Sequence, residues 1–235
     1  MSNTPANMEP EVVEFDPRLR SPFTMMICGP TGCGKSHLVF QLIANIRKLI
    51  TPEVSDITFC YSQWQSGYEK MCELGVKFHE GMFTREELFN NKRDVSKPCL
   101  LILDDLLDPA YAPLVRDLFI KGSHHLNMNV VFITQNIFFS SNKDYRTISI
   151  NSNYIVVFKN PREMNQISYL SRQAFPKQPS FLTEVYNTET EREHSYILLD
   201  CKQSTPDHLR VRGSITTPWR TPVFIPDSKN KQLKK

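Results

Sequence analysis

Gly29-Pro-Thr-Gly-Cys-Gly-Lys-Ser36 follows the pattern G-x-x-x-x-G-K-[ST], and its flanks are those the pattern requires. Upstream, Phe23-Thr-Met-Met-Ile-Cys28 is a short apolar run with the length of a buried strand. Downstream, Leu38, Val39, Leu42, Ile43, Ile46, Leu49 and Ile50 recur at helical spacing, which predicts a helix over 35–50. Strand, glycine loop and helix N-terminus together gather backbone N–H groups at the positive end of a helix dipole, which is a cradle for phosphates. Gly29, Gly32 and Gly34 permit the turn and a close backbone approach. Lys35 is the cation for β- and γ-phosphates, and the Ser36 hydroxyl is a ligand for Mg²⁺. Gly29, Pro30, Thr31, Gly32, Cys33, Gly34, Lys35, Ser36 and His37 are therefore expected to contact a nucleotide, ATP with Mg²⁺.

Hydrolysis needs an acid as well. Pro98-Cys-Leu-Leu-Ile-Leu103 is fully apolar, is bounded by proline and ends in Asp104-Asp105. Its length favours a buried parallel strand. Consecutive residues on a strand face opposite sides, so Asp104 is assigned to the metal and Asp105 to polarising the attacking water. The competing reading is a pair of acids that merely starts a loop or caps the following helix. A third run, Val130-Val-Phe-Ile133, ends in Thr134-Gln135-Asn136. An amide at that tip can sense a γ-phosphate or orient water, or can be an ordinary strand end.

The 235 residues suit one large α/β domain. Strands are expected at 23–28, 56–61, 76–79, 99–103, 129–134, 154–158 and 196–199. Helices are expected at 35–50, 66–74, 84–90, 111–121, 161–173 and 180–187. This alternation predicts a mainly parallel sheet with helices on both faces. Residues 1–20 read as a loose arm, 21–227 as the domain and 228–235 as a basic tail. No apolar run approaches the ~18 residues of a membrane span, so no membrane partner is expected. The polar, acidic N-terminus matches neither a secretory signal nor a transit peptide.

Cys28, Cys33, Cys60, Cys72, Cys99 and Cys201 contain no C-x-x-C pair, which suits a reducing compartment without disulfides or zinc. The net charge is +3, with the basic excess in the last 36 residues: Lys202, Arg210, Arg212, Arg220, Lys229, Lys231, Lys234 and Lys235 face only Asp200, Asp207 and Asp227. Such an end can meet a polyanion or simply be solvated. Tyr61-Ser-Gln-Trp64 offers aromatics at a strand end, for packing or for stacking on a base. His124 and His125 lack the neighbours that would complete a zinc site and suit a structural or interface role.

These segments together resemble the viral DNA-packaging ATPases of the FtsK–HerA superfamily. The likeness is closest to the poxvirus-type branch carried by large DNA viruses, Polinton (Maverick) elements and adintovirus-like viruses. It rests on Phe23–Ser36, Leu100-Leu-Ile-Leu-Asp-Asp-Leu106, Leu118-Phe-Ile-Lys-Gly-Ser-His-His125, Val131-Phe-Ile-Thr-Gln-Asn136, Arg146-Thr-Ile-Ser-Ile-Asn151 and Phe158-Lys-Asn-Pro-Arg162. The resemblance spans roughly residues 20–200. The Gly-Ser-His-His and Thr-Gln-Asn segments are its more specific parts.

The resemblance implies an ASCE, RecA-like P-loop NTPase: a three-layer sandwich around a mainly parallel sheet. It implies a homo-oligomeric ring that drives double-stranded DNA into a preformed capsid with capsid or portal proteins as partners. Such a motor works inside the host cell, at an assembly site in nucleus or cytoplasm, and can accompany the virion. Lys35 and Ser36 map to nucleotide and Mg²⁺, Asp104 to the metal, Asp105 to the catalytic acid and Gln135 to the γ-phosphate sensor. Many superfamily members carry glutamate where this chain has Asp105, one methylene shorter. For an arginine finger Arg146 is the first choice, with Arg116, Arg162 and Arg172 left open. The rival functions are a helicase- or recombination-type DNA-dependent ATPase without a capsid, a P-loop small-molecule kinase and a nucleotide-binding switch.

Overall fold

Alternation along the apolar runs decides the architecture. In the computed structural model, which describes residues 15–89, 94–106, 108–138, 143–216 and 220–226, successive strand residues enter two different cores. The order of elements is β1 (Leu19–Arg20), β2 (Thr24–Cys28), α1 (Lys35–Ala44), α2 (Ile46–Leu49), β3 (Ile50–Thr51), β4 (Ile57–Tyr61), α3 (Glu69–Cys72), β5 (Lys77–Glu80), α4 (Arg85–Phe89) and β6 (Cys99–Asp104). It continues with α5 (Ala112–Asp117), α6 (Ser123–His125), β7 (Met128–Thr134), α7 (Lys143–Ile150), β8 (Tyr154–Phe158), α8 (Met164–Ala174), α9 (Phe181–Glu189), β9 (Tyr196–Asp200), β10 (Val211–Arg212) and β11 (Val223–Phe224).

Nine of these strands form one sheet in the order β11-β10-β9-β8-β2-β7-β6-β4-β5. From β8 through β5 all pairings are parallel, whereas β9, β10 and β11 are added antiparallel. Met25, Ile27, Ile102, Val131, Ile133 and Val156 pack on one face with Leu38, Val39 and Leu42 of α1. Met26, Cys28, Leu101, Leu103, Phe132 and Val157 pack on the other with residues of α5, α7, α8 and α9. A period of two in strands buried on both sides thus produces a mixed α/β fold with a large, mostly parallel central sheet and a helical layer on each face.

Several elements differ from their sequence expectation. The helix expected over 35–50 breaks at Asn45, whose side-chain amide and backbone N–H both donate to the Gln41 carbonyl (3.0 and 3.1 Å). The helix expected over 66–74 is a 3₁₀ turn at Ser66–Tyr68 followed by the single-turn α3. The helix expected over 111–121 continues to His125, through a π-helical turn at Leu118–Gly122. A Cβ at Gly122 would lie 2.8 Å from a Leu118 methyl, so a larger residue there would have to displace that side chain. Helix α7 has no counterpart in the expectations: Thr147-Ile-Ser-Ile150 alternates like a strand. It forms a helix because Tyr145, Ile148 and Ser149, at positions i, i+3 and i+4, are buried together. Among the described residues no helix is long and apolar enough to cross a membrane.

The domain begins earlier than residue 21. Leu19 and Arg20 pair with Ile50 and Thr51, and Leu19 is buried. Residues 1–14 of the expected arm and all of the expected tail lie outside the described residues. Three cations of the basic C-terminal excess are structural rather than offered to a polyanion. Lys202 Nζ donates to the carbonyls of Arg20 (2.6 Å) and Pro22 (2.9 Å). Arg210 donates to the carbonyls of Asp200 (3.0 Å) and Lys202 (2.9 Å). Arg212 is only 1% exposed; its guanidinium pairs with the buried Asp200 carboxylate, donates to the Pro17 carbonyl (2.9 Å) and lies over the Phe15 ring.

Arg212→Met leaves Asp200 as a buried charge without its counter-ion. It should cost about 3–5 kcal/mol, read as a lower urea midpoint. Adding Asp200→Leu should recover part of that loss, because the uncompensated charge goes with it.

Candidate functional site

The C-terminal ends of β2, β6 and β7 meet at a cleft of about 360 Å³. Strand order explains its composition. β7 lies between β2 and β6, so the tip carrying Thr134 and Gln135 stands between the glycine loop and the two acids. Lys35, Ser36, Asp104, Asp105 and Gln135 all line it, together with Thr31, Gly32, Gly34 and His37. Gly29, Pro30 and Cys33 form the back of the loop. There the Lys35 ammonium donates to the carbonyls of Gly29 (2.6 Å) and Pro30 (3.0 Å). The loop conformation depends on glycine at Gly32 (φ 79°) and Gly34 (φ 110°), both left-handed. At Gly29 the constraint is space, since a Cβ would fall 2.7 Å from both Cys33 Sγ and the Phe158 Cβ.

The acids reach the cleft by a different route from the one the strand pleat implies. Asp104 is the last residue of β6 and is 6% exposed. Asp105 leaves the strand with φ 53°, a left-handed conformation that aspartate tolerates better than most residues. The turn brings both carboxylates to the same cavity instead of opposite faces. The Tyr68 hydroxyl donates to Asp104 Oδ2 at 2.5 Å. Burial pushes the Asp104 carboxyl above the usual range. Tyr68 pulls it back, the neighbouring Asp105 pushes it up further, and Lys35 pulls it down. Burial also raises the Cys33 thiol, against the nearby Lys35 ammonium, so Cys33 is not poised as a thiolate.

Three functional neighbours escaped the sequence reading. Gln65 lines the cleft because β4 pairs with β6 in the register Tyr61↔Asp104, which brings the segment after β4 beside the acids. Tyr68 follows on the same segment. Its only sequence signal is proximity to Tyr61–Trp64, whose rings pack with Tyr68 and Phe78 at centroid distances of 5.1–6.2 Å. His194 Nδ1 lies 3.1 Å from the Cys33 carbonyl, 161 residues away in sequence.

Other candidates fall elsewhere. Arg146 is on the exposed side of α7, outside the cleft lining, and makes no ion pair among the described residues. Arg116 is engaged by Asp117 (2.8 Å) and Asp144 (2.6 Å). Arg172 lies over the Tyr169 ring at 4.6 Å. Arg162 sits in the turn after β8, where its backbone N–H donates to Asn160 Oδ1. His124 and His125 precede β7, so the length of that strand, roughly 20 Å, separates them from the cleft at its far end. Asn129 is a fully buried residue of β7, inside the strand expected at 129–134.

No protein-family model matches this chain, and no curated protein gives a significant sequence match.

The raised Asp104 carboxyl carries a stability consequence. Such a group favours the folded chain when protonated, so its contribution is complete below the unfolded pKa of ~3.9 and is lost as pH rises through the higher folded value. Asp104→Asn keeps an acceptor for Tyr68 and removes the buried charge. Its melting temperature should exceed the parent's by a few degrees at pH 8, and the gap should close as pH falls below about 4. Melts across pH 3–8 check this; a parent that stays as stable as the variant at pH 8 contradicts it.

Proposed function

We propose that the chain is a P-loop nucleoside triphosphatase of the ASCE, RecA-like kind, acting on ATP with Mg²⁺. One observation carries the reading: the cation, hydroxyl, two carboxylates and amide expected from three separate sequence segments line a single cleft at adjoining strand ends. The residues suit the ligand. Asp104 and Ser36 are hard oxygen donors appropriate to Mg²⁺. The Lys35 ammonium rests on two loop carbonyls that phosphate oxygens can replace. Loop glycines leave the backbone open to close approach.

In this reading Mg²⁺ supplies charge neutralisation and alignment of the phosphate oxygens. Lys35 holds the β- and γ-phosphates. Asp105 accepts a proton from the water that attacks the γ-phosphate in line. Gln135 orients that water and reports the state of the γ-phosphate. Tyr68 fixes the Asp104 carboxylate.

The particular role we infer is that of a genome-packaging motor, a homo-oligomeric ring driving double-stranded DNA into a preformed capsid inside the host cell. Its support is the resemblance of segments distributed over residues 20–200 to the poxvirus-type packaging ATPases. ATP hydrolysis with and without double-stranded DNA, with mass measured by light scattering, tests it. DNA stimulation in an oligomer is expected. A DNA-indifferent monomer that phosphorylates a small acceptor overturns it.

Binding and chemistry should separate. Lys35→Ala should lose most nucleotide affinity. Asp105→Asn, which tolerates the same left-handed backbone, should bind ATP normally and lose turnover by about 10²–10⁴-fold. Parental hydrolysis by Asp105→Asn would remove that residue from the mechanism.

Arg146 should act across the subunit boundary. Exposed and without an ion pair among the described residues, it is available to a neighbour's γ-phosphate, and such a finger is worth about 10³–10⁵ in rate. Arg146→Ala alone should bind ATP and be nearly inactive. Mixed with Lys35→Ala it should regain activity, because each protein retains what the other lacks. Mixed oligomers without recovery at any ratio shift the role to Arg162 or Arg172.

A further inference from the structure

A second cleft, of about 600 Å³, adjoins the first and shares Gly34 and His37 with it. It opens between the start of α1, the end of β8 and the start of β9. Its floor is apolar and aromatic: Leu38, Phe158 and Tyr196 are buried, and the two rings lie 5.1 Å apart. Its rim is polar: Gln41, His194, Ser214 and Thr216. Ser214 Oγ and Thr216 Oγ1 are 3.1 Å apart, and the Tyr196 hydroxyl accepts from the Ile215 N–H (3.0 Å), which fixes that wall.

His194 joins the two clefts. It adopts φ 61°, a left-handed conformation that histidine, with asparagine and aspartate, enters more readily than other non-glycine residues. Its ring is tied to the loop through the Cys33 carbonyl. It also lies so near Gly34 that a Cβ there would be 3.4 Å from His194 and from the Phe158 ring. The exposed ring is thereby held against the phosphate loop. An aromatic floor with amide and hydroxyl groups at its edge suits a flat heterocycle with polar edges.

We propose that this second cleft is the nucleobase site, and that it prefers a purine. The proposal rests on the reading of the first cleft as a triphosphate site. Phosphates held at Lys35 and the helix N-terminus leave the nucleoside end of the ligand at the shared residues Gly34 and His37. The base then lies against His194 over the Phe158–Tyr196 floor, with its edge toward Gln41, Ser214 and Thr216. A purine covers more of that floor than a pyrimidine. The rings at Tyr61 and Trp64, the other aromatic candidates, are turned edge-on to one another and to Phe78.

Calorimetric titration of the full chain with ATP, CTP and inorganic tripolyphosphate, each with Mg²⁺, tests both levels. Tripolyphosphate reports the phosphate cleft alone. The parent should bind ATP about tenfold more tightly than tripolyphosphate, the scale of one base stacking on an aromatic surface, and more tightly than CTP. Ser214→Trp fills the cleft from the wall that does not touch the loop. It should bring ATP down to the affinity of tripolyphosphate and leave tripolyphosphate unmoved. His194→Ala, at an exposed position, should lose part of the same difference. Equal binding of ATP and tripolyphosphate by the parent overturns the base site while the phosphate site stands, and so does an ATP advantage untouched by both substitutions. Failure of tripolyphosphate to bind the parent overturns both.

Discussion

The position of β2 between β7 and β8 is the constraint on which the rest of the molecule depends. Its five residues are buried on both faces and paired in parallel on both edges. Side-chain amides at the strand starts hold that register. Asn129 Oδ1 accepts from the Phe23 N–H (3.2 Å) while Asn129 Nδ2 donates to the Cys99 carbonyl (3.1 Å), bridging β2, β7 and β6. Asn153 Oδ1 accepts from the Thr24 N–H (3.0 Å), and Thr24 Oγ1 donates to the Asn151 carbonyl (2.7 Å), which ties in β8. A one-residue slip would turn every apolar side chain to the wrong face and leave buried amides unpaired. The same register places Cys28, Asp104 and Thr134 at strand ends on one edge of the sheet.

At that edge the chain departs from what stability alone favours. Asp104 is a carboxylate surrounded by protein, next to a second carboxylate, and both conditions disfavour its charge. Asp105 adopts a left-handed backbone. Three loop carbonyls face inward, to Lys35 and His194, instead of pairing in secondary structure. Partly compensated charge and left-handed backbone of this kind persist where the surroundings over-determine them. Here the surroundings are a doubly buried sheet whose register is held by amides at its opposite edge.

The antiparallel end of the sheet shows a different economy. β9, β10 and β11 extend beyond the parallel core, and their attachment relies on buried and half-buried cations. Arg212 joins Asp200 to Pro17 and Phe15; Lys202 reaches the carbonyls of Arg20 and Pro22. The two ends of the domain therefore brace one another. Tyr196 and the 214–216 segment, which wall the second cleft, are positioned by that brace.

Sequence alone determined whatever is local. The loop Gly29–Ser36 is legible because its glycines, lysine and serine act through the backbone they sit on. The central strands are legible because apolar runs of five to seven residues buried on both faces have no other economical fate. The mostly parallel sheet follows from their alternation with helices. Helix α7 was hidden because Thr147-Ile-Ser-Ile150 carries a period of two and becomes helical only against the residues that bury Tyr145, Ile148 and Ser149. Tertiary structure alone decided which tips became neighbours: Gln65 and Tyr68 beside Asp104, and His194 on a loop 161 residues before it. It also turned Asp105 into the same cleft as Asp104, against the alternation of the strand. Strand order and a single left-handed turn set these contacts, and neither leaves a periodic trace in the chain.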